Sequence, residues 1–377
     1  MGLKSVRATW MRGGTSKGLF FLESDLAGIP ARDAFFLSAI GSPDPYGKQM
    51  DGMGGATSST SKIAVISPSQ QTHCDVDYLF GHVDIETPVI DYSGNCGNLT
   101  AAVGVFAIQK GLVKPKFPTT TVAVWQRNLA QRITVKVPTT REGKVEFAGE
   151  FTIPGVAGSG AAIAIEFDAP SGKKNTLPTG NSVDELQLDS TTTIKASLIF
   201  AGNATIIVRA DALAQPPTLQ GHELPHEVNQ MNNILEQIET IRCMGAVAMG
   251  LADSPESAAK QPSIPKVAIV SAPISYVSTA KQPVDKSKMD ICCRIFSMGK
   301  MHHAFTGTGA IALAVAANIP GSLVNQITST IQKVRLGNPA GVMEAVADVS
   351  INNLIPTPLS AGFVRTARPL MEGLVMG

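Results

Sequence analysis

The stretches GNCGNLTAAVGVFAIQKGL (residues 94–112) and GTGAIALAVAANIPGSL (residues 307–323) decide the fold of this chain. Both open with closely spaced glycines and continue with small apolar residues on every face of a helix. A helix that is apolar all round is buried all round, so each stretch predicts a central helix wrapped by a curved sheet. Aligning Gly97 with Gly309 superposes the two apolar runs, and this self-similarity predicts two like halves.

Short β-branched runs surround the two helices, and 35 glycines and 24 prolines supply the turns between them. We predict strands at 19–22, 63–66, 83–85, 121–125, 132–137, 163–167, 193–199, 204–209 and 266–271. Further helices are predicted over 228–248 and 290–296. The polar, turn-rich stretch 170–192 is the best boundary, so we expect an N-terminal domain at 1–185 and a C-terminal domain at 186–377. The last strand could return to the N-terminal domain.

Composition excludes several classes of protein. The 377 residues carry 31 basic and 30 acidic side chains, for a net charge of +1, and 44% of them are hydrophobic. That hydrophobic fraction is too high for disorder. The longest apolar runs, such as Ala310–Ala317, are less than half as long as a membrane span requires. The balanced charge argues against nucleic acid or an anionic membrane as a partner, because both need a concentrated positive field.

Cysteine usage predicts a cytoplasmic protein with reduced thiols. The five cysteines are sparse and odd in number, and the N-terminal stretch lacks the apolar segment of a secretory signal. There is no Cys-x-x-Cys pair, and the adjacent His302 and His303 diverge on any regular element, so we expect no metal site.

The starts of the two apolar helices are candidate anion sites, because free backbone N–H groups and the positive end of the helix dipole meet there. Cys96 directly precedes the first helix, where a thiolate is stabilised and can act as base or nucleophile. A lone cysteine beside an apolar helix is otherwise often only packing. Thr308 stands at the matching place in the second half, so the two-thiol pattern of stereoinversion is incomplete.

Two further segments carry candidate site residues. In DGMGGATSSTSKIAVIS (51–67) the glycines lead into a strand, which fits neither a dinucleotide fingerprint nor a phosphate loop. Lys62 is either a solvated strand-end lysine or, if withdrawn from water, a general base. In MRGGTSKGLFF (11–21) a glycine-hinged turn groups Arg12, Thr15, Ser16 and Lys17, which suits oxyanion binding and equally an ordinary exposed hairpin turn.

These segments, together with SMGKMHHAFTGTGAIALAVAANIPGSLVN (297–325) and VRTARPLMEG (364–373), resemble the PrpF-like family. That family comprises the 2-methylaconitate cis-trans isomerases and related Δ-isomerases, within the diaminopimelate-epimerase-like fold. The resemblance implies an α+β protein of two pseudo-symmetric domains, each a rolled, mostly antiparallel sheet around a central apolar helix. It also implies an active site in the cleft between the domains.

The resemblance further implies an isomerase that shifts a proton on an unsaturated di- or tricarboxylate, of the aconitate, 2-methylaconitate, methylitaconate or oxalomesaconate class, without cofactor. Our hypothesis is a dienolate intermediate, with Lys62 and Cys96 as the catalytic pair. The expected substrate-binding residues are Arg12, Thr15, Ser16, Lys17, Asn95, Gly97, Asn98, Lys300, Thr306, Gly307 and Thr308.

Several alternatives stay open at this level. The chain could be an amino-acid epimerase or racemase, or a non-catalytic partner of an aconitase-like enzyme. The sequence does not decide the substrate acid, nor cis-trans isomerisation against double-bond migration. It also leaves open which of Lys62 and Cys96 is the base, and the oligomeric state, for which a homodimer is one option.

Overall fold

The computed structural model describes residues 4–172, 174–213, 219–329, 331–353 and 355–377. By its contacts the chain divides into two compact units. The first unit comprises Met1–Glu166 and Val364–Gly377, and the second comprises Phe167–Phe363. The sequence-based division at residue 185 stays a prediction.

Strands dominate both units. In the described residues they are β1 (Ser5–Gly13), β2 (Ser16–Leu22), β3 (Lys62–Pro68), β4 (Val76–Val83), β5 (Ile90–Asp91), β6 (Thr119–Gln126), β7 (Gln131–Pro138), β8 (Ile163–Asp168), β9 (Asp184–Gln187), β10 (Thr193–Ala201), β11 (Asn203–Arg209), β12 (Lys266–Ser271), β13 (Tyr276–Val277), β14 (Pro283–Val284), β15 (Ile291–Ser297), β16 (Lys300–Met301), β17 (Lys333–Asn338), β18 (Gly341–Asn352), β19 (Ile355–Arg365) and β20 (Ala367–Met376). The α-helices there are α1 (Arg32–Ile40), α2 (Gly97–Gln109), α3 (Pro225–Val228), α4 (Asn232–Ala248), α5 (Pro255–Ala259), α6 (Gly307–Ala317) and α7 (Asn325–Thr328). Within these ranges no helix is both long and apolar enough to cross a membrane.

The first unit is one sheet folded around α2. Its strands pair in the order β20–β1–β2–β3–β4–β6–β7, with β2–β3 and β4–β6 parallel and the other neighbours antiparallel. The residues of α2 from Gly97 to Ile108 are all buried. Alternate strand residues face α2, as where the Phe20 and Phe106 rings lie 5.6 Å apart. The opposite face packs on α1, with 5.2 Å between the rings of Phe21 and Phe36.

The second unit repeats this plan around α6. Its strands pair in the order β9–β10–β11–β12–β15–β17–β18–β19, and the parallel neighbours are β11–β12 and β15–β17. Counted from the first strand of each order, the parallel pairs fall at the same two places in both units. Every residue of α6 is buried. The predicted internal repeat of a sheet around an apolar helix is therefore confirmed.

Most predicted elements are found, and two are wrong. The predicted helix at 290–296 is instead strand β15, whose seven residues are all buried between β12 and β17. A short run that is apolar without alternation does not distinguish a buried strand from a buried helix. The predicted strand at 83–85 is only the end of β4, which stops at Val83. The predicted helix at 228–248 is interrupted and continues as α4 from Asn232.

The correspondence between the two helix starts also needs correction. Five residues separate β5 from α2, and five separate β16 from α6, so Gly97 corresponds to Gly307 and not to Gly309. The residue matching Cys96 is therefore Thr306, whose hydroxyl accepts a hydrogen bond from the Gly309 N–H (3.2 Å) as the N-cap of α6. The sequence alignment, made on the glycines, placed Thr308 there.

Candidate active site

An amine, a thiol and a hydroxyl meet in the first unit. The Nζ atom of Lys62 lies 3.4 Å from the Sγ atom of Cys96 and 3.4 Å from the Oγ atom of Ser16. The Cys96 and Ser16 side chains are 3.7 Å apart. Lys62 and Cys96 are each 7% exposed and Ser16 is 1% exposed. We call these three residues the thiol–amine triangle, and they are almost fully withdrawn from water.

Strand register explains why Lys62 points inward. Lys62 opens β3 and pairs with His82 of β4, on the face that carries Ala64 and Phe80 two residues further. The Lys62 ammonium lies 5.7 Å from the centre of the Phe80 ring, a favourable cation–π contact. At Gly18 of the parallel neighbour β2, a Cβ atom would sit 2.8 Å from the Lys62 carbonyl oxygen. The absence of a side chain there lets β2 and β3 approach at the triangle.

The environment of Cys96 favours its charged form. Burial raises the pKa of the Cys96 thiol, but the Lys62 ammonium, the first-turn amide of Leu99 and the Ser16 hydroxyl together outweigh burial and lower the pKa below its ordinary value. Cys96 is also the N-cap of the 13-residue helix α2, where the helix dipole favours a negative charge. The arrangement is therefore suited to a thiolate beside an ammonium.

The glycine-hinged turn before β2 lies on the first turn of α2. The Asn98 amide donates from Nδ2 to the Thr15 hydroxyl (2.9 Å) and accepts at Oδ1 from Nε of Arg365 (2.8 Å). Gly14 has a φ of +51°, and a Cβ atom there would collide with the Asn98 side chain. Hydrogen bonds through Asn98 thus connect the turn, the start of α2 and the segment around Arg365.

The other predicted residues of the first unit differ in their surroundings. Nη1 of Arg12 donates to the carbonyls of Gly14 (3.1 Å) and Thr366 (2.9 Å), so part of this guanidinium holds the turn. Lys17 is half-buried, with its ammonium 5.8 Å from the centre of the Trp10 ring. Asn95 is 3% exposed, and among the described residues neither of its side-chain amide atoms has a hydrogen-bond partner.

Four predicted residues belong to the second unit. Thr306 caps α6, while Gly307 and Thr308 lie buried in its first turn. Lys300 is exposed on β16. A substrate-binding role for these four residues stays a prediction.

The described part of the chain contains no grouping of three or more His, Cys, Asp and Glu side chains that could hold a metal ion. The predicted divergence of His302 and His303 is wrong: their rings stack on each other at 4.5 Å, because neither residue lies in a helix or strand, where neighbouring side chains would point apart.

Comparison with known proteins gives the family. The sequence model of the PrpF protein matches residues 3–377. The chain belongs to the PrpF family. It is 45% identical to the 2-methyl-aconitate isomerase of Shewanella oneidensis, over 98% of this chain and 96% of that protein. It is 42% identical to the 2-methyl-aconitate isomerase of Cupriavidus necator, with the same coverage. The chain is accordingly an enzyme of the isomerase class.

Solved structures agree on the fold of this PrpF chain. A methylitaconate-delta-isomerase superposes with a TM-score of 0.77 at 34% identity, covering 100% of this chain and 96% of the other. A hydroxyproline epimerase from Agrobacterium vitis superposes with a TM-score of 0.54 at 9% identity, covering 99% and 92%. The second match shows the fold alone. The predicted α+β, diaminopimelate-epimerase-like fold is confirmed.

Two residues near the triangle of the PrpF chain were missed by sequence reasoning. Arg365 is buried, which lowers the pKa of its guanidinium to about 10, while the charge of Cys96 opposes that shift. The Tyr78 hydroxyl is fully buried and has no hydrogen-bond partner among the described residues; burial and the Cys96 charge raise its pKa. Arg365 lies in a segment used only for the resemblance, and Tyr78 lies in no motif.

Proposed function

We propose that this PrpF-family enzyme isomerises a small unsaturated di- or tricarboxylate by moving a proton, without a cofactor. The observation that carries the proposal is the buried Lys62–Cys96 pair, 3.4 Å apart and joined by Ser16. The names of the relatives, 2-methyl-aconitate isomerase and methylitaconate-delta-isomerase, support an acid of this class.

The first step is removal of a proton from carbon. A C–H bond next to a carboxylate and conjugated with a C=C bond is a weak acid, and its ionisation produces a dienolate. The Cys96 thiolate accepts this proton, because the surroundings that lower its pKa favour the ionised form. The Lys62 ammonium remains beside it and stabilises negative charge.

Hydrogen-bond donors at the start of α2 stabilise the negative charge of the dienolate. The backbone N–H groups of Gly97 and Asn98 have no partner within the helix, because they belong to its first turn. The Asn95 side chain, buried and without a partner in the described residues, supplies a further amide. Donors fixed before the reaction cost no reorganisation when the charge develops.

Return of a proton completes the isomerisation. Reprotonation at the far allylic carbon migrates the double bond, whereas rotation about the temporarily single bond followed by reprotonation at the original carbon exchanges cis and trans forms. The proton comes back from Cys96 or from Lys62, which contacts the same sulfur. Each step moves only protons and electron pairs already present in the substrate and the enzyme.

A substrate panel tests the proposal. We expect proton NMR of the full chain with cis- and trans-aconitate, 2-methylaconitate, methylitaconate and oxalomesaconate to reveal conversion of at least one acid into its isomer. No conversion and no solvent-deuterium incorporation in any of these acids would contradict the proposed function.

The predictions of location and of partners belong with this function. All five cysteines are free, which suits the expected cytoplasmic location. Neither nucleic acid nor membrane is expected as a partner, and a homodimer remains one option, to be decided by sedimentation of the purified chain.

A further inference from the structure

A row of three buried titratable side chains crosses strands β3, β4 and β5. Lys62 is the register partner of His82, and His82 is the register partner of Asp91. Register partners on neighbouring strands project from the same face of a sheet. Lys62, His82 and Asp91 are 7%, 5% and 8% exposed. The proposed proton transfer uses Lys62 and gives no role to His82 or Asp91.

This row lies on the face of the strands that is turned toward α2. The opposite face, with Ile63 of β3 and Val83 of β4, packs in one core with residues of α1. On the face of the row, the Phe80 ring adjoins two of the three side chains. The centres of the Phe80 and His82 rings are 6.2 Å apart, and the Lys62 ammonium lies 5.7 Å from the centre of the Phe80 ring.

The hydrogen-bond pattern of the strands brings Lys62 and His82 close together. In the preceding pair, the Val83 N–H donates to the Ser61 carbonyl (3.0 Å). Hydrogen-bonded and non-hydrogen-bonded pairs alternate between antiparallel strands, so Lys62 and His82 form a non-hydrogen-bonded pair. In such pairs the Cα atoms are about 4.5 Å apart and the side chains approach more closely. The imidazole is therefore the direct cross-strand neighbour of the lysine.

Asp91 is held in place at the other end of the row. Its Oδ1 atom accepts hydrogen bonds from the Ser93 N–H (2.7 Å) and from the Ser93 hydroxyl. These contacts orient the carboxylate opposite His82. A carboxylate that accepts from one ring N–H of a neutral imidazole makes the other ring nitrogen an acceptor. An imidazole in that tautomer can receive an N–H of the Lys62 ammonium.

We propose that Asp91 and His82 position the Lys62 amine, with Asp91 acting through His82. One ammonium N–H points to the imidazole, and the other two point to Cys96 and Ser16. The amine then has one orientation, from which it stabilises the thiolate and returns a proton. His82 and Asp91 are positioning residues, because they act through Lys62. The proposal rests on the proposed function for one point, the proton transfer at Lys62.

Two single variants and their combination test the row in turnover. His82→Phe keeps a buried ring but loses the acceptor nitrogen, and Asp91→Asn keeps an acceptor for Ser93 but loses the negative charge. We expect each to lower kcat about tenfold, the effect of one hydrogen bond to a charged group. The combined variant should lose no more than His82→Phe alone, because residues that act as one unit are not additive. His82→Gln, whose amide oxygen is again an acceptor, should stay within about threefold of the parent chain.

The titration of Cys96 is a second readout, and it needs no turnover. Titratable groups that face Cys96 in the described residues are Lys62 of β3, Tyr78 of β4 and Arg365 of β19, and all three are kept in these variants. A displaced amine stabilises the thiolate less, so His82→Phe should move the midpoint of the thiolate absorbance upward. Each variant is measured against its own Cys96→Ser counterpart.

The exposed His226 provides the matched control, and His226→Phe should equal the parent chain in kcat and in midpoint. Additive losses in the combined variant would mean that Asp91 acts independently of His82 and would overturn the proposal. Parent-like kcat and midpoint in His82→Phe, or an equal loss in His226→Phe, would overturn it as well. If the parent chain converts no acid of the panel, the proposed function fails, while the midpoint of His82→Phe still decides whether His82 positions Lys62.

Discussion

At the scale of single residues, the decisive property is the charge on Cys96. We expect the ultraviolet absorbance of the thiolate, taken as the difference between the parent chain and Cys96→Ser, to titrate below the ordinary pKa of a cysteine thiol. Since the pKa is lowered, the thiolate is the main form above that midpoint and is lost as the pH falls through it. Lys62→Met leaves burial uncompensated and should move the midpoint upward. A midpoint that does not respond to Lys62 contradicts the assigned cause.

Arg365 is the residue-scale feature that the sequence did not reveal. Its Nε atom fixes Asn98, and Asn98 in turn fixes Thr15. Arg365→Lys keeps a positive charge but loses the fork that contacts Asn98 and the Val364 carbonyl. We expect Arg365→Lys to raise KM about tenfold while the midpoint of the Cys96 titration stays nearly constant. Arg365→Met, which removes the charge as well, should change both KM and the midpoint.

The exposed Arg7, in the same unit and away from the triangle, provides the control for that pair, and Arg7→Met should change neither quantity. If Arg365→Lys and Arg365→Met behave alike in KM and in the Cys96 midpoint, the residue has only a structural role.

At the scale of elements, the turn before β2 is the most constrained feature. Gly14→Ala forces a side chain into the left-handed region and into the Asn98 amide. We expect a loss of about 1–3 kcal/mol in the free energy of unfolding, together with lower activity. Gly28→Ala, where no atom lies within 4 Å of an added Cβ, is the matched control and should be nearly neutral. Equal stability of the two variants in urea denaturation would contradict the constraint.

Elements were predictable where a pattern has one structural meaning. The all-round apolar character of α2 and α6 admits only a buried helix, and β-branched runs such as 132–137 admit a strand. Strand β15 was not predictable, because ICCRIFS is buried on both faces and shows no period. The turn at residues 13–16 could be read equally as an exposed hairpin, since the contacts of the buried Ser16 are with Lys62 and Cys96, which are distant in sequence.

At the scale of the whole molecule, the repeat of two units was visible in the sequence, but its register was not. An alignment on glycines matches Gly97 with Gly309, whereas the observed helix starts match Gly97 with Gly307. The correspondence of strand β3 with strand β12 was not visible either, because the two strands share a place in the repeated strand order and little sequence. Pairing of β20 with β1 also depends on residues more than 350 positions apart, which no local pattern encodes.

Of the two corresponding helix starts, that of α2 carries a thiol, Cys96, and that of α6 carries Thr306 in its place. Two-base inversion of an amino acid needs an acid and a base on opposite sides of a carbon, so we expect no racemase activity. Proline, hydroxyproline and diaminopimelate incubated with the enzyme in D2O should acquire no α-deuterium. Deuterium at the α-carbon of any of them would favour the epimerase alternative.

The central claim is that Lys62 and Cys96 move a proton on an unsaturated carboxylate, and solvent exchange measures this directly. With the acid of the panel that is converted fastest, the parent chain in D2O should incorporate deuterium at the allylic position. Proton NMR follows this incorporation as the loss of the allylic proton signal. Cys74→Ala, which changes a half-buried cysteine outside the triangle, should do the same. Lys62→Ala and Cys96→Ala, folded by circular dichroism, should incorporate none within the same time. Exchange at the parent rate in either of these two variants would remove that residue from the chemistry and contradict the account.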